Sequence, residues 1–247
     1  MNSIERVWKE ILNDIYKNGH IHHKDDAEIK EIIDVHKYLK SPSFIGSEEL
    51  KVGFMPKNSV AFLDNIYLGA YDIKGYPIKG EALGKYVNSL FDAELNGFVY
   101  TYPNRLQQHF ISDNAVHGAY INQFHVVIDR LFNNSGTNRA VGVLYDPKED
   151  TFNEDGSYVD DIPCWNWFQF LIRDDVLDLH VQFRSNDIFN AFPSNMMLLT
   201  YLGMTITEYL AALGYENLEF GGIYYNCTSA HYYTDVVTDK MIKDILW

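Results

Sequence analysis

Apolar residues recur three and four apart at Ile4, Val7, Trp8, Ile11, Leu12 and Ile15, and Gly19 follows. That period lays one apolar stripe along a helix over residues 4–16, with the glycine as its stop. Residues 18–26 are polar and charged and read as a loop. Residues 29–39 fit neither the helix nor the strand period, and Pro42 ends them. Residues 58–73 carry no clear period. Residues 80–90 read as a helix with Glu81 in the first turn, residues 98–106 as an extended aromatic-rich segment, and residues 119–132 as a helix with Ile121, Phe124, Val127, Ile128 and Leu131 on one face. Asn134 to Thr137 has turn composition. Residues 140–144 are a strand candidate headed by Arg139, and the acidic stretch 148–161 reads as a surface loop turning at Asp155-Gly156.

The pattern sharpens after Ile162. Residues 165–172 and 177–183 are strand-like runs separated by Asp174-Asp175, the signature of a hairpin. Residues 196–213 are apolar on several faces and stop at Gly214, which predicts a buried helix, too short and too interrupted by polar residues to span a bilayer. Residues 219–225 and 230–233 look like short strands and 238–247 like a final helix. With no repeat, linker or low-complexity stretch, residues 1–247 are expected to form a single α+β domain, a mostly antiparallel sheet with helices packed on it.

Composition narrows the function. Hydrophobic residues are 47% and charged residues 22% of the 247, ordinary for a soluble globular domain. The net charge of −14 disfavours nucleic acid and anionic membrane as partners, because both demand a basic surface. A small phosphorylated ligand stays open, since a few convergent arginines can hold one phosphate. No apolar run is long enough for a membrane span, and the N-terminus lacks a signal-peptide core. Two cysteines, Cys164 and Cys227, are too few for a disulfide framework, which points to a reduced cytoplasmic compartment. Neither has metal-ligand spacing, and the His20, His22 and His23 group sits in the polar loop, so no metal is expected.

The hairpin carries the candidate chemistry. Cys164 opens its first strand and Arg184 closes its second, so pairing brings thiol and guanidinium together. A cation beside a thiol raises its thiolate fraction and makes a nucleophile of it. Taken alone, a cysteine beside a strand reads first as a small buried hydrophobe. The block Phe183-Arg184-Ser185-Asn186-Asp187 and the asparagine Asn195 that follows it change that weighting.

Together with Pro163-Cys164, Gln169-Phe170 and the later Ser229-Ala230-His231-Tyr232-Tyr233, this block resembles the thymidylate synthase and deoxycytidylate hydroxymethylase family. The spelling is closest to its short archaeal-type branch. The resemblance implies a sheet-mediated homodimer that uses 5,10-methylenetetrahydrofolate, or a related pterin, to deliver a one-carbon unit to C5 of a pyrimidine nucleoside monophosphate. Deoxyuridylate (dUMP) is the favoured substrate. Cys164 would add to C6. Arg184 would contact both the cysteine and the substrate phosphate, Ser185 the phosphate, and Arg139 a phosphate across the dimer. Asn195 would read the base, since its amide matches the O4 acceptor and N3–H donor of uracil; a helix N-cap is its other natural use. His231 and Tyr233 would hold the sugar hydroxyl, Asp187 the folate, and Trp165, where the family usually has histidine, would lie against the cofactor. Glu81 is the candidate for the proton relay to O4. Tyr100, with Tyr102 as its rival, is the candidate that positions a proton-accepting water.

Several positions depart from the family pattern. Asn138 replaces one arginine of the trans pair. No arginine lies between Arg6 and Arg105, so Lys24 or a nearby histidine is left to serve in place of an early phosphate ligand. Ala191 stands where many members have glycine, and only Thr234 to Trp247 follows the histidine-tyrosine segment. A longer tail would exclude water from the intermediate. Water access favours hydroxymethylation, of a uridine or a cytidine nucleotide, whereas the short branch is assigned to methylation, so both reactions stay open, with a catalytically silent nucleotide-binding relative as the third reading.

Overall fold

The computed structural model describes residues 3–24, 26–42, 99–110 and 120–246. The expected segments 58–73 and 80–90, and Glu81 with them, lie outside the described residues. Helix α1 (Ser3–Asn18) buries the whole predicted stripe from Ile4 to Ile15. The segment expected to be a loop is instead strand β1 (His20–Lys24), which pairs antiparallel with β2 (Ala27–Lys40) across a tight turn. Its side chains are almost all exposed, so hydrophobic periodicity could not reveal a strand made by backbone pairing alone. In β2 only Ile29, Val35 and Leu39 are buried, which is why neither period fits it.

Helix α2 (Tyr102–Gln107) corrects the extended reading of residues 98–106. Thr101 caps it by accepting from the Asn104 amide at 3.1 Å, and Pro103 sits in the first turn, where its missing N–H costs nothing. Strands β3 (His109–Phe110) and β4 (Tyr120–Ile121) pair with each other and lead to α3 (Gln123–Asn133), then β5 (Val141–Val143); the helix expected from residue 119 starts at Gln123 because Asn122 caps it, and Ile121 belongs to β4. The predicted hairpin forms as β6 (Trp165–Arg173) and β7 (Val176–Asp187). Asp174 and Asp175 take φ of 51° and 58°, the left-handed pair that a two-residue hairpin turn needs. Helix α4 (Phe192–Ala212) is the predicted buried helix, begun four residues early. The two short strands expected near the end are one long strand, β8 (Glu219–Tyr233), and α5 (Asp239–Leu246) closes the chain.

The main sheet has six strands in the order β1-β2-β8-β7-β6-β5. Every neighbouring pair is antiparallel except β7 and β8, which run parallel and are joined through α4. One sheet face, with Phe168, Phe170, Leu179, Val181, Ile223 and Tyr225, packs into the core with α1 and α4. The other face carries an aromatic row across three strands: Tyr38 stacks on Tyr224 at 4.4 Å and His180 on Tyr224 at 4.3 Å.

At the β5–β6 edge Gly142 lies opposite Phe168, and an added Cβ would meet the ring at 2.2 Å. That ring is fully buried and hemmed by Trp165 and Phe170 at 5.5 and 5.9 Å, so it has no room to move aside. Gly142→Ala is therefore expected to destabilise the fold by about 1–3 kcal/mol, read as a lowered thermal midpoint; an unchanged midpoint would refute this packing.

Candidate active site

Strand pairing assembles the site. Trp165 opposes Phe183, and the Arg184 amide donates to the Cys164 carbonyl at 2.8 Å, so the hairpin places thiol and guanidinium side by side. Cys164 is half-buried. The guanidinium is anchored to the chain that enters the strand: Nε donates to the Pro163 carbonyl at 3.1 Å and Nη2 to that of Ile162 at 2.8 Å. Among the described residues no carboxylate pairs with Arg184, so its charge is left beside the thiol.

Tyr100 and Tyr102 stand over this point. The Cys164 amide donates to the Tyr100 hydroxyl and the Trp165 amide to that of Tyr102, while burial pushes both phenols well above their ordinary range. Both therefore remain protonated. Tyr100 keeps partial exposure, whereas Tyr102 packs edge-on against Trp165 at 5.5 Å. The Trp165 indole is fully buried and donates to the Trp167 carbonyl at 3.0 Å. It also walls a 290 Å³ apolar cavity between α2, α3 and α4 that includes Leu106, Phe124 and Leu202.

Asp187 ends β7 and organises the turn into α4. Its Oδ1 accepts from the amides of Phe189 and Asn190, both at 3.0 Å, and its Oδ2 from the Asn190 side chain at 2.7 Å. The same turn is tied to α1, because Trp8 Nε1 donates to the Ile188 carbonyl at 2.7 Å. Asn195 is not a helix N-cap. Ala191 holds that position, and Asn195 lies in the first turn of α4 with its amide free to point elsewhere. Nδ2 donates to Asn186 Oδ1 at 3.1 Å.

His231 faces Asp187 across the parallel pair and meets the Tyr233 ring edge-on at 5.4 Å. Lys24 Nζ lies 6.0 Å from the Tyr233 ring centre, which brings the end of β1 to this corner. Ser185 is buried opposite Ser229. Arg139 is exposed on the far edge, next to Ala140, whose carbonyl accepts from the Phe170 amide. Six residues of strand separate Phe170 from Cys164, roughly 20 Å, so Arg139 does not reach the cysteine of its own chain.

Three residues given no role from sequence join the site from below: Asn186, Tyr225 and Cys227. Asn186 Nδ2 donates to the Tyr225 hydroxyl at 3.0 Å. The available signal was the polar pair Ser185-Asn186 at the end of a strand; alternation sends one of two neighbours outward, yet both are buried. Arg105 is the other unforeseen group. It is buried and clamps Glu149 and Asp150, both at 2.5 Å, which fastens the acidic loop to α2.

The sheet and its helices are shared with thermostable thymidylate synthase A from Bacillus subtilis, with a TM-score of 0.64 over 98% of this chain and 83% of that one, at 18% identity. Fold and sequence together define the protein as a one-carbon transferase. It belongs to the thymidylate synthase family, whose profile matches residues 80–244. A thymidylate synthase-type protein of Methanothermobacter thermautotrophicus is 31% identical over 94% of this chain and 91% of its own. One from Methanocaldococcus jannaschii is 34% identical over 68% and 70%. The deoxyuridylate hydroxymethyltransferase of Bacillus phage SP01 is 26% identical over 97% of this chain and 60% of its own. Among the described residues no helix is long and apolar enough to cross a membrane, and no group of three metal-capable side chains converges.

Burial lowers the His231 pKa below 6.5; Asp187 and Glu31 raise it, and Lys24 lowers it further. Below pH 6.5 the unfolded chain therefore binds a proton that the native ring resists, and stability falls as pH falls through that value. His231→Gln is expected to flatten the slope of the thermal midpoint between about pH 7 and 5.5; a slope identical to that of the unaltered protein would show that the ring titrates freely.

Proposed function

We propose that this protein is a thymidylate synthase that methylates dUMP with Cys164 as nucleophile. The observation that carries the reading is the hairpin lock, which sets Cys164 beside an arginine with no carboxylate partner among the described residues. Cys164 Sγ adds to C6 of the pyrimidine, the 5,6 double bond opens, and C5 gains carbanion character. Arg184 stands beside the thiol and takes the substrate phosphate with Ser185. Asn195 accepts from N3–H and donates to O4. His231 and Tyr233 hold the sugar hydroxyl. Lys24, beside Tyr233, supplies the positive charge that the missing early arginine would have given. Tyr100, protonated and half-exposed over the cysteine, orders the water that removes the C5 proton.

Methylenetetrahydrofolate, when bound, supplies the one-carbon unit and the hydride. Asp187 suits a pterin N–H: Oδ2 accepts one hydrogen bond in the free chain and has capacity for a second. Trp165 supports that side from beneath rather than as an exposed platform. A second reading, hydroxymethylation of dUMP, is favoured by the phage relative, which matches across nearly the whole chain.

The product decides between them. From dUMP and methylenetetrahydrofolate, a gain of about 14 mass units with dihydrofolate formed marks methylation, and about 30 with tetrahydrofolate released marks hydroxymethylation. Cys164→Ala is expected to abolish either product while leaving dUMP binding largely intact, and turnover by that variant would end the mechanism.

The exposed placement of Arg139 supports a homodimer in which it serves the partner's site, with the Tyr38–Tyr224–His180 face as the natural contact. Arg139→Ala and Cys164→Ala should each be inactive alone. Equal mixtures should recover about a quarter of full activity, because half of the dimers then hold one intact site. An absence of recovery in a demonstrated heterodimer would exclude the shared site.

A further inference from the structure

Beneath Asn195 runs a line of buried hydrogen bonds that catalysis does not use. Asn195 Nδ2 donates to Asn186 Oδ1 at 3.1 Å, and Asn186 Nδ2 donates to the Tyr225 hydroxyl at 3.0 Å. Tyr225 is fully buried between Phe183 and Phe192, with ring centres at 5.5 and 5.1 Å. Its hydroxyl shares a hydrogen bond with the sulfur of Cys227, two residues on along β8 and on the same buried face. The Cys227 thiol, 1% exposed, donates to the Ser229 backbone carbonyl at 3.3 Å.

The line has a direction because of where it ends. A backbone carbonyl carries no proton and can only accept. With the thiol's single proton placed on Ser229, the sulfur is left to accept from Tyr225. The phenol oxygen, its own proton committed, then accepts from Asn186. That turns the Asn186 amide so that its oxygen faces Asn195, and Asn195 must answer with its amino group. Its carbonyl oxygen and second N–H are left to meet a ligand. Every link is uncharged, since burial holds Tyr225 well above the ordinary phenol range and pushes the Cys227 thiol up to about 12.

We propose that the series Ser229 carbonyl, Cys227, Tyr225 and Asn186 fixes the amide polarity of Asn195 and thereby selects a uracil over a cytosine base. This rests on the reading of Asn195 as the base-contacting residue. An amide free to rotate by half a turn matches cytosine as well as uracil, because cytosine offers an amino donor and a ring-nitrogen acceptor at the same positions. The locked amide matches uracil alone and leaves a mismatched polar pair with cytosine, which costs about tenfold or more in affinity. Asn186, Tyr225 and Cys227 are thus positioning residues that determine specificity without touching the base.

Cys227→Ala tests the inference, with Cys227→Ser as its conservative counterpart. Without the thiol, Tyr225 loses its acceptor and can turn its proton to Asn186, so both amide polarities open. Serine both donates and accepts and keeps the direction. Calorimetric titration of dUMP and dCMP into the full-length protein should show a preference for dUMP in the unaltered protein and in Cys227→Ser. In Cys227→Ala the ratio should fall about tenfold, mainly through tighter dCMP binding. Tyr225→Phe should relax the ratio in the same way. Simple packing damage would weaken both ligands together and leave the ratio unchanged. A dUMP preference that survives both Cys227→Ala and Tyr225→Phe overturns the inference while leaving the role of Asn195 standing. If the unaltered protein binds the two nucleotides alike, the reading of Asn195 falls and the inference falls with it.

Discussion

The hydrogen bond from the Arg184 amide to the Cys164 carbonyl is the point on which the site depends. It closes the open end of the β6–β7 hairpin and sets the register of the Cys164 thiol against the Arg184 guanidinium. A slip of one residue along β7 would reverse every side chain from 177 to 187 between core and open face, so the buried row Leu177, Leu179, Val181 and Phe183 guards the chemistry at its end. Two side-chain bonds from the guanidinium back to Pro163 and Ile162 add a second restraint. The arginine is thus held in place by carbonyls of its own chain, and its side chain is ordered in advance of any ligand.

The lone parallel pair completes the arrangement. β7 and β8 end together, so Asp187 meets His231 in register, and the chain leaves β7 through the Asp187 turn directly into α4. One strand end therefore delivers Arg184 and Asp187, the next delivers His231 and Tyr233, and the first turn of the connecting helix delivers Asn195. Trp8 reaches from α1 to the carbonyl of Ile188 and fastens that turn to the core. A missing or mispaired polar group here would be costly, and the buried groups are met by partners of matched character.

Charge and neutrality are kept apart within this small volume. The mouth of the site holds the cation of Arg184 and, beside Tyr233, Lys24. The floor is made of neutral donors and acceptors whose order is dictated by a carbonyl. Neutral polar groups in a core orient one another without the desolvation cost of an ion pair. Arg105 shows the alternative: a buried guanidinium needs both Glu149 and Asp150 to be tolerated.

Much of this was legible in the order of residues. The α1 stripe, the hairpin with its Asp-Asp turn, the buried α4 and the cluster from Cys164 to Asn195 are all patterns within short windows, where period and turn chemistry act. The strand β1 was hidden because its side chains are exposed and only backbone pairing to β2 makes it. The helix α2 was overlooked because aromatic residues outweighed the cap Thr101 and Pro103. Long strand β8 looked like two because Asn226 to Ser229 are polar residues that find partners only in a finished sheet. The sequence by itself determined which groups could do chemistry and the local elements that carry them, because side-chain type and short-range periodicity are properties of neighbours in the chain. Only the tertiary structure decided that Asn195 faces Asn186 rather than capping a helix, that Cys227 and Tyr225 lie beneath it, and that Arg139 stands far from its own cysteine. Those are relations between distant segments, set by sheet register and by the need of every buried donor for an acceptor.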